Sequence, residues 1–431
     1  MQLLAGQDQL IFTETQFAGP LARNPIPLAT RLGAEPAGSP RAFAGGQRRA
    51  APLAARSAIA RRFRHDETPR TKLSMKCMAR AELPVAPARL FASDNVAGAH
   101  PLVLEALVAA NAGHALAYGT DAYTQRAEAA FNDLFGRDVA TLFVYGGTGA
   151  NVLALASLLQ QAESVICTNW SHINVAETGA PERLLGAKLL DVACLDGKLT
   201  PDQIRAAAGA RGNPHHAQPA VVSITQPTEL GTLYTPGEVR ALCDTAHELG
   251  LLVHMDSARV GNATAALGGT RAALRSFTVD AGVDVLSFGG TKAGIVFGEA
   301  VVWFDPARAR RAEYLRKNVT QLHSKMRFIS AQYEALLRDD LFIDLGRSAN
   351  SAARALYDAT RHHASLGLST PPQVNSVFPT LRDPAKSRLQ HWSFFWDWDP
   401  AAHQVRWMTA WDVSGDDVAR FAAGVEAALQ A

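Results

Sequence analysis

The sequence has few cysteines and no long apolar run, and both shortages narrow the classes of protein to which it can belong. Its 431 residues include four cysteines, and they show neither a CxxC pair nor a Cys/His spacing typical of zinc sites. A disulfide framework and a bound metal are therefore unsupported, and a reduced compartment, the cytoplasm, is expected. No stretch of about 18 apolar residues occurs, so we predict no membrane-spanning segment and no membrane partner.

Charge is also scarce, and it is unevenly distributed. The net charge is +2, yet residues 1–74 carry ten arginines and one lysine against five acidic residues. This segment is rich in Ala, Arg, Pro and Gly, and we predict a disordered extension without function, preferred over a targeting role. Its arginines are not interleaved with aromatic residues, so no nucleic-acid partner is expected. We expect the working protein to begin at Met75 or Met78.

The remaining sequence alternates short apolar runs with longer amphipathic segments. Gly146-Gly147 separates the first strand from a helix, and a second helix begins near Pro236 and ends before Gly250. Such alternation predicts an α/β fold with a mostly parallel sheet flanked by helices. The predicted strands are 140–145, 164–168, 220–225, 251–256 and 283–288.

After about residue 310 the pattern changes to helices, an aromatic-rich stretch and a final helix over 414–430. Two of these helices are predicted within 331–346 and 348–363. We interpret 75–310 as a large domain and 311–431 as a smaller C-terminal α+β domain.

Reactive or phosphate-binding residues follow three of the predicted strands. Gly147 and Thr148 follow the first, Asp256 ends "LLVHMD", and Lys292 lies just beyond "VDVLSF". In parallel α/β sheets, ligands bind at the carboxyl ends of the strands, where these residues are expected. A desolvated lysine loses basicity and becomes a competent amine for Schiff-base chemistry. On its own, however, Lys292 reads more simply as a surface lysine in a glycine-rich turn.

Together these residues match the needs of pyridoxal phosphate (PLP), which requires an amine, an acid beside its pyridine nitrogen, a phosphate site and a stacking ring. Asp256 is the candidate acid, although an Asp after a strand is often a helix cap. Gly147 and Thr148 would bind the phosphate at a helix N-terminus, although such turns also occur without a ligand. His172 is the candidate ring, and an ordinary loop histidine is its alternative.

With these residues in place, the sequence resembles the L-threonine aldolase family, in particular low-specificity threonine and phenylserine aldolases. The resemblance runs from about Phe91 to the C-terminus through separate blocks in one order, "FASDNVAGAHP", "AYGTD", "GGTGAN", "ETGAPE", "GKLTP", "HMDSAR", "DVLSFGGTK", "SKMRF" and "VRWMTAWD". It implies the aspartate-aminotransferase-like fold of PLP fold type I. It also implies a homodimer or homotetramer whose active sites take residues from two chains.

The resemblance also implies site roles. Lys292 would bind the cofactor covalently, Asp256 would contact the pyridine nitrogen and His172 the ring face. The substrate carboxylate would be bound by Ser93, Arg259 and Arg406, while Tyr118 and Lys325 would reach a neighbouring chain's site. The sequence departs from the family at Ser257, which could narrow the pocket or add a hydroxyl near the ring, and at Gly149, which loosens the phosphate turn.

The implied reaction is retro-aldol cleavage of threonine, allo-threonine or phenylserine to glycine and an aldehyde. The base that removes the β-hydroxyl proton is His172 or a water that it positions, with His114 as a further possibility. Alternatives are another PLP reaction, such as β-elimination or transamination, and a catalytically silent PLP-fold scaffold. The preferred substrate and the need for a divalent cation stay open.

Overall fold

The computed structural model describes residues 82–430, and the extension predicted over residues 1–74 lies outside this range. Within it, Cys167, Cys194 and Cys243 are buried and free, and no helix is long and apolar enough to cross a bilayer.

A seven-stranded sheet forms the centre of the fold, and it contains all five predicted strands. Its order is β1-β7-β6-β5-β4-β2-β3, with β7 antiparallel to β1 and β6 and the other neighbours parallel. Two short strands were not predicted, β3 and β7. The strands are β1 Ala140–Val144, β2 Glu163–Thr168, β3 Lys188–Val192, β4 Gln218–Thr225, β5 Leu252–Ser257, β6 Val285–Gly289 and β7 Glu299–Trp303.

Helices cover both faces of this sheet and continue to the C-terminus. They are α1 Pro101–Ala110, α2 Ala122–Phe135, α3 Gly147–Leu158, α4 His172–Val175, α5 Ala180–Leu185, α6 Pro201–Ala207, α7 Pro236–Glu248, α8 Val260–Ala266, α9 Arg271–Ser276, α10 Ala312–Val319, α11 Arg327–Leu337, α12 Leu341–Thr360, α13 Ala385–Trp392 and α14 Gly415–Leu429.

Helix α7 begins and ends where Pro236 and Gly250 predicted. Thr235 and Glu238 form a reciprocal capping box around Pro236 in the first turn, which satisfies backbone N–H groups that lack helical partners. Beyond the last turn, Gly250 has a φ of 67°, a conformation that glycine adopts at little cost. These signals direct the chain into β5, whose last residues include Asp256.

A second, three-stranded antiparallel sheet lies near the C-terminus, with the order β8-β10-β9. A separate apolar cluster surrounds it, in which Phe395 and Trp407 pack edge-on against Phe421 of α14. The predicted domain boundary near residue 310 stays a prediction. The strands are β8 Ser376–Val377, β9 Trp396–Asp399 and β10 Gln404–Met408.

The two helices predicted over 331–346 and 348–363 are divided differently in the structure. Asp339 and Asp340 have φ values of 52° and 58°, so the helical path breaks there and α12 runs without interruption through Gly346. Gly346 is the last residue of the first predicted segment, but it lies within α12 and packs against α8. A Cβ at Gly346 would lie 2.3 Å from the carbonyl carbon of Gly261, so close backbone packing explains this glycine.

We predict that Gly346→Ala destabilises the fold by about 1–3 kcal/mol, because the added methyl group forces the backbones of α8 and α12 apart. Urea or thermal unfolding measures the change. Gly237→Ala is the control, because Gly237 lies in an exposed helical turn with no atom within 4 Å of a built Cβ, and it should be neutral or slightly stabilising. Equal stabilities of the two variants would contradict the prediction.

Candidate active site

A pocket lies at the carboxyl ends of β4, β5 and β6, where the sequence predicted a ligand site. It brings together five predicted residues, Gly147, His172, Asp256, Arg259 and Lys292, with Asn151, Glu177, Thr225, Pro227, Glu229 and Ala258.

Lys292 lies in a single 3-10 turn, Thr291–Ala293, directly after β6. The backbone N–H of Gly290 donates to Oε2 of Glu299 at 2.6 Å and fixes this turn. Burial, together with the positive charge of Arg259, lowers the pKa of Lys292 below its usual value. No hydrogen-bond acceptor for its amine occurs within residues 82–430. Lys292 is therefore a partly buried amine of reduced basicity and not a solvated surface lysine.

Asp256 is the second-last residue of β5, and both of its carboxylate oxygens accept hydrogen bonds. Oδ1 accepts the backbone N–H of Ala258 at 3.0 Å, and Oδ2 accepts the side-chain amide of Asn151 at 2.8 Å. The following helix, α8, has Arg259 as its N-terminal flanking residue and no side-chain cap. Asp256 is thus a buried, oriented carboxylate in the pocket and not the cap of the next helix.

His172 begins α4 with its imidazole half-exposed to the pocket. Its Nδ1 lies 2.8 Å from Oε1 of Glu177, and its backbone N–H donates to Oε1 of Glu229 at 2.8 Å. The hydrogen bond with Glu177 raises the pKa of the imidazole. The contact with Glu177 holds the ring and the contact with Glu229 holds the backbone beneath it, as a side chain that stacks on a cofactor requires.

The glycine turn before α3 presents the start of a helix to the pocket. Gly146 precedes the helix and no side chain caps it, so the first backbone N–H groups, including those of Gly147 and Thr148, are available to an anion. A Cβ built at Gly147 meets no atom within 4 Å. The turn therefore leaves open space at a helix N-terminus, as a phosphate requires.

Arg259 makes a two-point ion pair with Asp94, which sequence reasoning did not identify. Nε lies 2.6 Å from Oδ2, and the second nitrogen, Nη2, lies 3.0 Å from Oδ1. Burial alone would raise the pKa of Asp94, but the Arg259 guanidinium outweighs it and the pKa is lowered. Ser93, the predicted carboxylate ligand, accepts a hydrogen bond from the Asn95 backbone at 3.2 Å. Only the remaining nitrogen of Arg259, Nη1, is left for a substrate.

Arg406 lies on β10, with its guanidinium 5.1 Å from the centre of the Trp398 ring. Its Nε is buried and has no hydrogen-bond partner. Burial, assisted by the charge of Arg259, lowers the pKa of Arg406 to about 10. A buried N–H without a partner is costly unless an acceptor binds it, and a carboxylate fits the planar geometry of the guanidinium.

Of the predicted site residues, Ser93, Thr148 and Arg406 do not line this pocket. Tyr118, His114 and Lys325 do not line it either. Tyr118 is exposed, its backbone N–H donates to the carbonyl of Ser324 at 2.8 Å, and Lys317 lies over its ring. His114 and Lys325 are exposed as well.

The two departures from the family pattern lie outside the ring site. Ser257 neither lines the pocket nor adds a free hydroxyl to it, because its hydroxyl donates to the carbonyl of Gln226 at 2.5 Å. A Cβ at Gly149 would contact Thr320 at 3.6 Å, an ordinary distance, so a larger residue could be accommodated there.

Sequence reasoning missed four polar residues of the pocket, Asn151, Glu177, Thr225 and Glu229. Asn151 is the one polar residue among the buried residues of helix α3, and an amide within this apolar run was the available signal. Glu229 follows β4, so the sheet-edge rule would have found it if it had been applied to that strand. Glu177 lies in the quoted block "ETGAPE", but only the fold shows that its side chain turns inward.

The residues present fit a pyridoxal phosphate molecule. Lys292 would supply the amine, Asp256 the acid for the pyridine nitrogen and His172 a held ring. The start of α3 is suited to the phosphate, and the unpaired Nε of Arg406 suits a carboxylate. Each match follows from an unused or oriented group in this structure. Fold and pocket together define the class as a PLP enzyme of fold type I.

Comparisons with known proteins agree with this class and narrow it. Aspartate aminotransferase from Thermus thermophilus matches with a TM-score of 0.58 over 80% of this chain and 91% of that chain, at 16% identity, which shows the shared fold. Threonine aldolase from Leishmania major matches with a TM-score of 0.73 and 29% identity over 80% of this chain and 99% of that chain.

Sequence relatives give the family. The β-eliminating lyase family matches residues 91–384. A low specificity L-threonine aldolase from Pseudomonas sp. (strain NCIMB 10558) is 42% identical over 344 residues, which cover 79% of this chain and 98% of that protein. The chain therefore belongs to the β-eliminating lyase family, among the threonine aldolases. The fold class and the resemblance predicted from the sequence are confirmed.

Glu229 gives a pH-dependent prediction, since burial raises the pKa of its carboxyl to about 7. Between pH 4.5, the ordinary pKa of this carboxyl, and about pH 7, the folded chain binds a proton that the unfolded chain does not. The contribution of Glu229 to the free energy of unfolding therefore decreases as pH rises through this range. We therefore predict that Glu229→Gln is more stable than wild type by about 1–3 kcal/mol at pH 8, with little gain at pH 4.5.

Thermal unfolding of both proteins across this pH range measures the effect. Glu248→Gln is the control, because Glu248 is exposed and only distantly paired with Arg205, at 3.5 Å, and its stability difference should not vary with pH. A gain for Glu229→Gln that is independent of pH would contradict the assigned shift.

Proposed function

We propose that this protein cleaves L-threonine-like β-hydroxy-α-amino acids to glycine and an aldehyde with PLP bound at Lys292. The observation that carries the proposal is the convergence of a weakly basic amine, an oriented carboxylate and a held imidazole beside an open helix N-terminus. The names of the Pseudomonas and Leishmania relatives support the substrate class. Threonine, allo-threonine and phenylserine are the proposed substrates.

The substrate carboxylate would bind between Arg406 and Arg259. Arg406 offers its buried Nε, and Arg259 offers Nη1, because its other two nitrogens are held by Asp94. Two guanidinium groups fix both the position and the rotation of a carboxylate. Such binding orients the bond between Cα and Cβ, so that the same bond is broken in every turnover.

PLP supplies a conjugated, protonated ring that accepts the electron pair released at Cα. The chain's own residues handle the protons. Asp256, held by Asn151 and Ala258, would keep a proton on the pyridine nitrogen. His172 would take the β-hydroxyl proton through Nε2, since Nδ1 faces Glu177. The pKa of His172 is raised. We expect activity to decrease as pH falls through this raised pKa, because a protonated imidazole cannot take up the β-hydroxyl proton.

Assembly with a second copy is part of the proposal. Helix α1 exposes Leu102, Leu104 and Val108, and the nearby segment exposes Leu116 and Tyr118, an apolar set of the kind that subunit interfaces cover. A homodimer or homotetramer would bury it and bring Tyr118 toward a neighbouring site. We propose the cytoplasm as its location, since the buried free cysteines suit a reduced compartment.

We predict that Lys292→Ala abolishes the visible absorption of lysine-bound PLP and lowers aldehyde and glycine release by roughly 10³-fold or more, because the attacking amine is lost. A spectrum and a paired assay of both products measure this. Lys188→Ala is the control, because Lys188 is exposed on the edge strand β3. Unchanged cleavage by Lys292→Ala would contradict the proposed function. Absorption without cleavage in wild type would retain the cofactor and reject the reaction.

We predict that Arg406→Lys raises KM for β-hydroxy amino acids roughly 10–100-fold with a smaller change in kcat, because an ammonium cannot replace the planar pairing of a buried guanidinium. Steady-state kinetics with threonine and phenylserine measure it. Arg382→Lys, at an exposed position, is the matched control. A variant with normal KM would assign the carboxylate to other residues.

A further inference from the structure

Four pocket side chains form one continuous line of hydrogen bonds. Nδ1 of His172 lies 2.8 Å from Oε1 of Glu177. The amide nitrogen of Asn151 donates to the same oxygen of Glu177 at 2.8 Å and also to Oδ2 of Asp256 at 2.8 Å. Glu177 is thus bonded to the imidazole and, through one amide, linked to the carboxylate of Asp256.

The chemistry of these groups fixes the direction of every bond. The amide nitrogen of Asn151 has two hydrogens, and each is given to a different carboxylate. Rotating this amide would place its oxygen against two carboxylate oxygens. Ionised Glu177 only accepts, so the proton on the imidazole resides on Nδ1. Nε2 of His172 is then the nitrogen left to face the pocket, and no residue within 82–430 is hydrogen-bonded to it.

We propose that Glu177 is a positioning residue that sets the tautomer and basicity of His172 and, through Asn151, the orientation of Asp256. The inference rests on the proposed function for the roles of His172 and Asp256. The coupling among the four side chains does not depend on any ligand.

Burial supports this assignment over a purely structural role. The Glu177 side chain is 0% exposed, and its second oxygen, Oε2, is buried without a partner. A buried carboxylate with one unused oxygen is costly, and a core made for stability alone would favour an apolar residue here. A proton on the facing imidazole offsets this cost, because it gives Oε1 of Glu177 a charged hydrogen-bond donor.

Other charges also face His172, and the test must separate them from Glu177. Glu229 accepts the backbone N–H of His172. Asp256 raises the pKa of the imidazole and Lys292 lowers it, but the hydrogen bond to Glu177 is the largest influence. Glu177→Gln removes the charge and keeps an oxygen for both donors, so it isolates the carboxylate's effect from its geometry.

The experiment is an NMR titration of the full-length protein labelled in the histidine rings, with the His172 signal assigned by its loss in His172→Asn. In Glu177→Gln we expect the pKa of His172 to fall by about one unit relative to wild type. The low-pH limb of kcat/KM should move to lower pH by the same amount. Glu182→Gln is the control, because Glu182 lies in the same segment but is exposed, and it should shift neither value.

An unshifted His172 titration in Glu177→Gln overturns the proposal. If that variant does not fold, Asn151→Ala decides. Without the Asn151 amide, Glu177 loses a competing donor and binds the imidazole more strongly, so the pKa of His172 should rise. Asp256 also loses its donor, and PLP should therefore dissociate about tenfold more readily. An unchanged pKa in that variant also overturns the proposal.

The two proposals can fail separately. The titration is performed without substrate, so a shifted pKa in a protein that releases no glycine supports the positioning role and rejects the proposed cleavage. Normal cleavage with an unshifted pKa rejects the positioning role alone.

Discussion

The ion pair between Arg259 and Asp94 joins the parts of the protein that build the pocket. Asp94 precedes the first helix, and Arg259 follows the end of β5. The amide of Asn375 donates to the same carboxylate at 3.0 Å, and Arg259 also contacts the sulfur of Met408 at 3.2 Å. Both residues belong to the second sheet or its border, so this buried pair links that sheet to the first. It thereby holds β10, and with it Arg406, beside the pocket.

Buried charge is the common physical feature of this region, and the environment tunes each group. Burial raises the pKa values of Glu229 and Glu299 to about 7, and it lowers the pKa of His254 in the sheet to about 4. His254 lies between two serine hydroxyls at 3.0 and 2.9 Å, where a neutral imidazole donates one bond and accepts the other. Lys292 loses basicity for the same reason. Burial thus brings the pKa values of the two glutamates closer to neutrality, whereas it favours the uncharged form of His254.

The sequence predicted the pocket residues that follow the carboxyl ends of parallel strands. It missed the residues whose role depends on the direction of the side chain. Lys292 and Asp256 follow apolar strands, so their place was readable from the pattern alone. Glu177 lies in a loop whose inward turn depends on contacts with distant residues. The break before α12 was missed because Asp339 and Asp340 adopt positive φ without a glycine to mark it. Strand β7 carries no alternation, because it is buried on both faces.

The contact between Gly261 and Gly346 has a consequence for how this protein can change over generations. Two backbones touch there, with no side chain between them. The spacing of α8 and α12 is therefore set by the main chain, which is the same in every sequence. None of the residues that line the pocket takes part in this contact, so the exchange of a pocket side chain leaves the contact in place. A side chain at Gly261 would meet the carbonyl oxygen of Phe342, and one at Gly346 would meet the backbone of Gly261, so neither glycine can be exchanged without moving one of the helices.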